Sequence, residues 1–348
     1  MPAITEADLK KQIKAQNFSN LYFFYGEEKY LVKHYTDLLV KKLVQPDFAD
    51  FNLHIYDGKN ADFDEILNAR EGLPMLSEYL CIMIKDLPVD SLNTETAEKL
   101  ENLVSDIPET TIIIISLLTA EDSLKSAKGK KTLLTLNNSG TTVEFTKASL
   151  SQLEKLIEKG AQARGCECAY KEASYLISVV GDDMTVILNE LEKICAYKKE
   201  GKIEKSDIDA VTVKNLQARV FDLTKALSAG NCDGAMAVLD TLMAMKEEPV
   251  NILAVMMTNY IDMYRASVYS AGGLRAEDAA KDFNYKNKEF RLRNAAKYAS
   301  VYSVRQLRDF LEILNDADMK LKGIPVSGRL VLEETITRLL LASNGEKV

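Results

Sequence analysis

The sequence predicts an α/β domain with a parallel sheet, joined to an all-α remainder. Three observations carry this. Short apolar runs alternate with helical patterns between Leu21 and Phe145. Those runs are rich in β-branched and aromatic residues, as buried strands are. After Phe145 the strand signals stop, and apolar residues recur at helical spacings instead.

The expected strands are Leu21–Tyr25, Phe51–Tyr56, Leu80–Ile84, Ile112–Leu118 and Thr142–Phe145. Helical patterns fall between them near 28–43, 62–70, 92–104 and 121–136. Strand–helix alternation implies a parallel sheet covered on both faces, a three-layer arrangement. The domain expected from this runs over 1–147.

A small helical domain is expected over 148–213. Its first helix carries Leu150, Leu153, Leu156 and Ile157 on one face. Gly181-Asp182-Asp183-Met184 breaks the second helix and caps a third bearing Val186, Leu188, Leu191 and Ile194. Ser206 is expected to cap a last short helix. A larger helical domain is expected over 214–348. Val220, Leu223 and Leu227 share one face, Pro249 opens a long helix running through Tyr264, and Ala271-Gly272-Gly273 marks a break. Leu307, Phe310, Leu311, Leu314 and Ala317 form one further stripe, and Leu332, Ile336 and Leu339 another.

Composition narrows the function. The chain has 348 residues, 47% hydrophobic and 28% charged, with net charge −8. That balance argues against autonomous tight binding to nucleic acid, which needs many Lys and Arg to neutralise phosphates. The apolar run Thr111–Leu118 is far shorter than the roughly 20 residues of a membrane span. The N-terminal stretch Met1-Pro2-Ala3-Ile4-Thr5-Glu6 has no basic-then-apolar signal pattern. The five cysteines form no paired framework, so a cytoplasmic, reducing compartment is expected.

An α/β domain followed by a small helical one directs attention to the turn after the first strand. A phosphate loop there needs glycines that let backbone N–H groups wrap the phosphates, and a Lys for charge. The chain has Tyr25-Gly26-Glu27-Glu28-Lys29 instead. It offers one glycine, and Glu27 and Glu28 would repel a triphosphate. The two acids are expected to begin a helix, where the dipole favours them. Ala127-Lys128-Gly129-Lys130-Lys131-Thr132 imitates a phosphate loop but follows the wrong strand, with its hydroxyl one place late; a solvated basic helix is expected. Asp86 is expected to be a turn residue rather than a magnesium ligand. Cys166-x-Cys168, His34 and His54 lack the partners of a zinc site, so no metal and no cofactor is expected. No nucleophile–histidine–acid pattern appears, and no catalytic residue is assigned.

One connection stands apart. Leu73-Pro74-Met75-Leu76 lies between the second helix and the third strand, where a loop should face solvent. Its apolar side chains either cover the sheet edge or form an exposed wedge for a partner's pocket.

Several motifs, taken in order, resemble the delta subunit family of bacterial DNA polymerase III. They are Leu21-Tyr22-Phe23-Phe24-Tyr25-Gly26-Glu27-Glu28, Gly72-Leu73-Pro74-Met75-Leu76-Ser77 and Gly181-Asp182-Asp183-Met184 with Asn189-Glu190-Leu191-Glu192-Lys193-Ile194. Ala218-Arg219-Val220-Phe221-Asp222-Leu223, Glu247-Glu248-Pro249-Val250-Asn251-Ile252-Leu253 and Asn315-Asp316-Ala317-Asp318-Met319-Lys320-Leu321-Lys322-Gly323 continue the match. The resemblance implies a RecA-like AAA+ domain without a functional phosphate loop, a helical lid and a helical collar that joins a ring of subunits. It implies a clamp-loader role in DNA replication and no catalysis by this chain alone, as part of a polymerase holoenzyme. In such proteins a helix tip with two adjacent apolar residues enters a pocket on the β sliding clamp and promotes ring opening. Met75 and Leu76 match those positions, with Leu73 and Pro74 beside them. Implied partners are the β clamp, the ATPase (gamma/tau) and delta-prime subunits, and primer–template DNA within the complex, with no membrane. Two other readings stay open: an AAA+-like ATPase motor, and a helical scaffold or regulator that binds no clamp.

Overall fold

The computed structural model describes residues 3–285, 289–323 and 325–345. It divides into two compact units, 1–148 and 149–348. The first runs α1 (Glu6–Lys14), β1 (Leu21–Tyr25), α2 (Lys29–Leu43), α3 (Ala49–Asn52), β2 (Leu53–Asp57), α4 (Phe63–Arg70), β3 (Leu80–Lys85), α5 (Thr94–Ser105), β4 (Thr111–Ser116), α6 (Ala127–Ser139) and β5 (Thr141–Glu144). The five strands form one sheet in the order β2-β3-β4-β1-β5, every neighbouring pair parallel.

Side chains alternate across this sheet because successive strand residues point to opposite faces. Tyr22, Phe24, Cys81, Ile112, Ile114 and Val143 join Leu9, Ile13, Val32, Tyr35 and Leu39 of α1 and α2 on one face. Leu21, Phe23, Ile82, Ile84, Ile113 and Ile115 join Phe63, Ile66, Leu100, Leu103 and Leu136 of α4, α5 and α6 on the other. The expected three layers are therefore present. Each buried aliphatic side chain contributes roughly 1.5–3 kcal/mol relative to exposure.

The strand expected at Phe51–Tyr56 begins later. Ala49–Asn52 is a helical turn, and β2 starts at Leu53. Asn disfavours strands, and here its side chain has another task, described below. The acidic pair Glu27-Glu28 also departs from expectation. α2 starts at Lys29 with Glu28 as N-cap residue, so neither acid lies in the first turn. The N-terminal helix α1, capped by Thr5 through the Asp8 N–H, adds a layer element the alternation did not reveal.

Among its described residues, the regular structure of the second unit is helical apart from a pair of two-residue strands. It contains α7 (Leu150–Gln162), β6 (Cys166–Glu167), α8 (Tyr170–Val180), α9 (Met184–Lys198), β7 (Gly201–Lys202), α10 (Lys205–Val211), α11 (Leu216–Ser228), α12 (Cys232–Ala244), α13 (Pro249–Ala271), α14 (Glu289–Ala299), α15 (Val304–Gly323) and α16 (Gly328–Ser343). Ser149 caps α7 and Asp183 caps α9. Ser206 does not cap α10; the N-cap residue is Glu204, whose N–H donates to Asp207 Oδ2 at 2.8 Å. In α9 the buried face is Met184, Ile187, Leu191 and Ile194, while Val186 is exposed. From α11 onward one core gathers Val220, Leu223, Tyr260, Phe310, Leu314, Leu332 and Ile336. At its side, the buried Asp262 carboxylate accepts from Tyr285 Oη at 2.5 Å and Arg291 Nε at 2.9 Å, tying α14 to α13.

The basic string at 127–132 is the first half of α6 and not a loop. Gly129 is there for space: a Cβ would stand 2.0 Å from Ser123 O. A helical Gly→Ala change normally stabilises by about 1 kcal/mol. Gly129→Ala should do the opposite and destabilise by roughly 1–3 kcal/mol through overpacking, read as a lower urea midpoint at unchanged slope.

Candidate functional site

Parallel strands put all their C-terminal ends at one sheet edge, and ligands of such sheets bind there, where the strand order reverses. In this sheet that place lies between β1 and β4. The turn beyond β1 is closed by the protein's own groups. Gly26 has φ +132°, and a Cβ there would lie 2.3 Å from Phe145 O. Phe145 N donates to Tyr25 O at 2.8 Å, and Glu28 N donates to Phe145 O at 2.9 Å. The Lys29 ammonium is turned back onto Gly26 O at 2.7 Å. Glu28 is buried at the helix N-terminus. The Glu28 N–H and the Lys29 ammonium thus serve the fold, and the Glu28 carboxylate is buried beside them. This region of Gly26, Glu27, Glu28 and Lys29 has the geometry of a turn rather than a phosphate cradle.

Asp86, at the same edge, is a brace. Its φ is +54°, and its Oδ1 accepts from Leu118 N at 2.6 Å and Thr119 N at 2.7 Å. Burial alone would raise its pKa; the Thr119 and Leu118 N–H groups outweigh that and hold the carboxyl below the ordinary aspartate value.

Metal chemistry finds no support among the described residues, which contain no cluster of three or more His, Cys, Asp or Glu suited to an ion. His34 stacks on Tyr30 at 5.7 Å in α2, and His54 lies within β2. Cys166, Cys168 and Cys195 are buried. Burial, then the charge of the neighbouring Cys166, pushes the Cys195 thiol up to about 11, and burial pushes Cys168 up to about 12. Such thiols are poor nucleophiles.

The opposite, N-terminal edge of the sheet carries the Leu73–Leu76 connection. α4 is capped by Asp62 and ends at Arg70. Arg70 is buried, and its Nη1 donates to Asn102 O at 2.8 Å near the end of α5. Nε and Nη2 grip Glu71 Oε1 at 2.9 and 2.6 Å. Thr111 Oγ1 donates to Arg70 O at 3.1 Å, so the helix end is fixed to β4. Beyond this anchor the apolar side chains face outward. Leu73 is 84% exposed, Met75 50% and Leu76 72%, while Leu80, where β3 begins, is 1% exposed. They do not cover the sheet edge. The family resemblance implied a helix tip; here the helix stops at Arg70 and the apolar residues follow on irregular chain.

Exposure does not mean looseness. Asn52 is fully buried, and its side-chain amide brackets Met75. Met75 N donates to Asn52 Oδ1 at 2.7 Å, and Asn52 Nδ2 donates to Met75 O at 2.8 Å. The same Nδ2 lies 3.2 Å from Phe48 O, fixing the amide itself. Pro74 removes one donor and restricts φ beside this clamp. Leu76 has φ +50°, a conformation that costs a branched residue of order 1–3 kcal/mol and persists only where surroundings impose it. Tyr79 closes the segment, packing edge-on to Phe18 at 5.9 Å. Asn52 was missed as a functional residue in the sequence. Its signal was a strand-averse residue at a supposed strand start.

The family model described as DNA polymerase III, delta subunit, matches residues 22–158, and that described as DNA polymerase III delta subunit, C-terminal domain, matches residues 217–339. The chain is 22% identical over 340 residues to DNA polymerase III subunit delta of Bacillus subtilis, covering 96% of each chain. It is 19% identical over 325 residues to the probable DNA polymerase III subunit delta of Aquifex aeolicus, covering 92% of this chain and 89% of the other. The solved structure of the Bacillus subtilis DNA clamp loader delta protein shares the fold, with a TM-score of 0.60 at 20% identity over 96% of this chain and 99% of that one.

Two outcomes test this site. Asn52→Ala should lower unfolding free energy by about 1–2 kcal/mol, the net worth of its bonds to the Met75 backbone. Hydrogen exchange at the Met75 amide should rise towards the open-chain rate. For Asp86, a depressed folded pKa means a contribution present above the unfolded carboxyl value of about 3.9 and lost as pH falls through the folded value. The stability gap between the native chain and Asp86→Asn should therefore be widest near neutral pH and shrink below about pH 4, measured by urea unfolding across that range.

Proposed function

The chain belongs to the DNA polymerase III delta-subunit family, and we propose that it binds the β sliding clamp through Leu73, Pro74, Met75 and Leu76 and favours the open ring. It is a clamp-loader subunit with an AAA+-like α/β domain and a helical C-terminal region. The observation that carries the clamp proposal is the pinned, outward-facing wedge: three large apolar side chains exposed on a backbone held by a buried amide.

Exposed Leu and Met side chains are costly to leave in water and adaptable in a pocket. Burying each contributes roughly 1.5–3 kcal/mol. Holding the loop in place beforehand reduces the ordering entropy that binding must overcome. A ligand shifts a closed-to-open equilibrium only by binding the open form more tightly. The wedge therefore has to meet its pocket better in the opened ring than in the closed one.

The closed turn at Gly26–Lys29 supports a subunit that does not itself turn over ATP. In this proposal the nucleotide-driven changes come from neighbouring ATPase subunits, which expose or hide the wedge. Residues 1–147 act as the clamp-facing domain, 148–213 as a lid-like helical domain and 214–348 as the collar that meets the ATPase and delta-prime subunits, with primer–template DNA held by the whole assembly.

Replacing Met75 and Leu76 together by alanine removes two anchors, each worth about 2 kcal/mol or more at a hot spot. Clamp affinity should fall at least roughly 100-fold, read by surface plasmon resonance against immobilised β clamp. The unfolding transition should stay where it is, because both side chains are exposed. A double variant that binds and opens the clamp normally would sink the proposal.

A further inference from the structure

We infer that Phe51, from the turn preceding β2, is a fourth anchor of the wedge and supplies its aromatic contact to the clamp. The inference rests on the clamp reading of the Leu73–Leu76 connection and extends it to a second stretch of chain.

Register brings the two stretches together. β2 and β3 pair in parallel with Leu53 opposite Cys81 and His54 opposite Ile82. The chain entering β2 then lies at the same end of the sheet as the chain entering β3. The Asn52–Met75 hydrogen bonds, at 2.7 and 2.8 Å, realise that approach. Phe51 is the next residue along. Adjacent Cα atoms are 3.8 Å apart, so the Phe51 Cα lies within about 10 Å of the Met75 backbone, and its exposed side chain leaves from the same end of the sheet.

Phe51 has no role in the fold that would account for an aromatic. Its side chain is 55% exposed, whereas Asn52 beside it is fully buried. It joins neither core on the faces of the sheet, although its neighbours Ala49 and Leu53 pack against one of them. Leu73, Met75 and Leu76 are likewise outside both cores. Scattered exposed apolar residues are ordinary on a soluble protein; several tied together on one edge mark an interaction site. Aromatic side chains dominate such sites because they bury a large area with only two rotatable bonds to freeze. The occupant that fits is the apolar pocket of the clamp, which then receives aliphatic side chains from one stretch and a ring from the other.

Clamp binding by Phe51→Ala tests this, with Tyr170→Ala as a control for loss of an even more exposed aromatic in the other unit. Phe51→Ala should weaken binding roughly 30-fold, and Tyr170→Ala should bind as the native chain does. Phe51→Leu should recover part of the loss. If alanine disturbs the turn, seen as faster exchange at the Met75 amide, Phe51→Gln keeps the side-chain length and is read in its place. Combined with Leu76→Ala, the loss should be less than the product of the single losses if both fill one pocket. Native-like binding by Phe51→Ala while Met75→Ala/Leu76→Ala fails to bind overturns the inference and leaves the clamp reading intact. Native-like binding by that double variant overturns the clamp reading, and the inference with it.

Discussion

A parallel sheet buried on both faces is the constraint from which the rest of the N-terminal unit follows. Parallel pairing sends every connection back across a face of the sheet and gathers all strand ends of one kind at one edge. The turn after β1, Asp86 and the end of β5 therefore meet at the C-terminal edge. The chain entering β2 and the chain entering β3 meet at the N-terminal edge, where Asn52 holds Met75. The edge where ligands of such sheets usually bind and the edge that carries Leu73–Leu76 are thus opposite ends of one layer.

The two edges are treated in opposite ways. At the C-terminal edge the donors are used internally: Glu28 N on Phe145 O, Lys29 Nζ on Gly26 O, and Leu118 N and Thr119 N on Asp86. Polar groups that satisfy one another leave nothing to pay for desolvating a phosphate. At the N-terminal edge Asn52 satisfies the Met75 backbone, but the side chains are not covered. Leu73 and Leu76 remain mostly in water on a loop held at Arg70, Met75 and Tyr79. A rigid backbone carrying uncovered apolar side chains suits recognition better than stability.

Much of this was legible beforehand. β1 falls at Leu21–Tyr25 as expected, because the run LYFFY is apolar and bounded by turn residues. Pro249 opens α13 because the first turn of a helix needs no N–H there. Glu27 and Glu28 spoke against a phosphate loop by charge alone. Other features were illegible. Phe51 and Asn52 looked like strand because aromatic and apolar residues follow one another there, and only packing shows a helical turn. Ile187 replaces Val186 in the core of α9 because helical phase is set by the neighbouring helices, not by a run of apolar residues such as Val186-Ile187-Leu188. The strand pair Cys166–Glu167 and Gly201–Lys202 is too short for any periodicity to reveal.

The sequence by itself determined the types of the main strands and most helices, the family through its ordered motifs, and the poverty of the Gly26–Lys29 turn in phosphate ligands. These depend on residue type and local spacing, which are written in neighbouring positions. Only the tertiary structure decided that Leu73, Met75 and Leu76 face water, that Asn52 holds them there, and that Phe51 shares their edge. Asn52 and Met75 are 23 residues apart. Their contact accompanies the one register in which β2 and β3 pair, a long-range pairing that no local pattern reports.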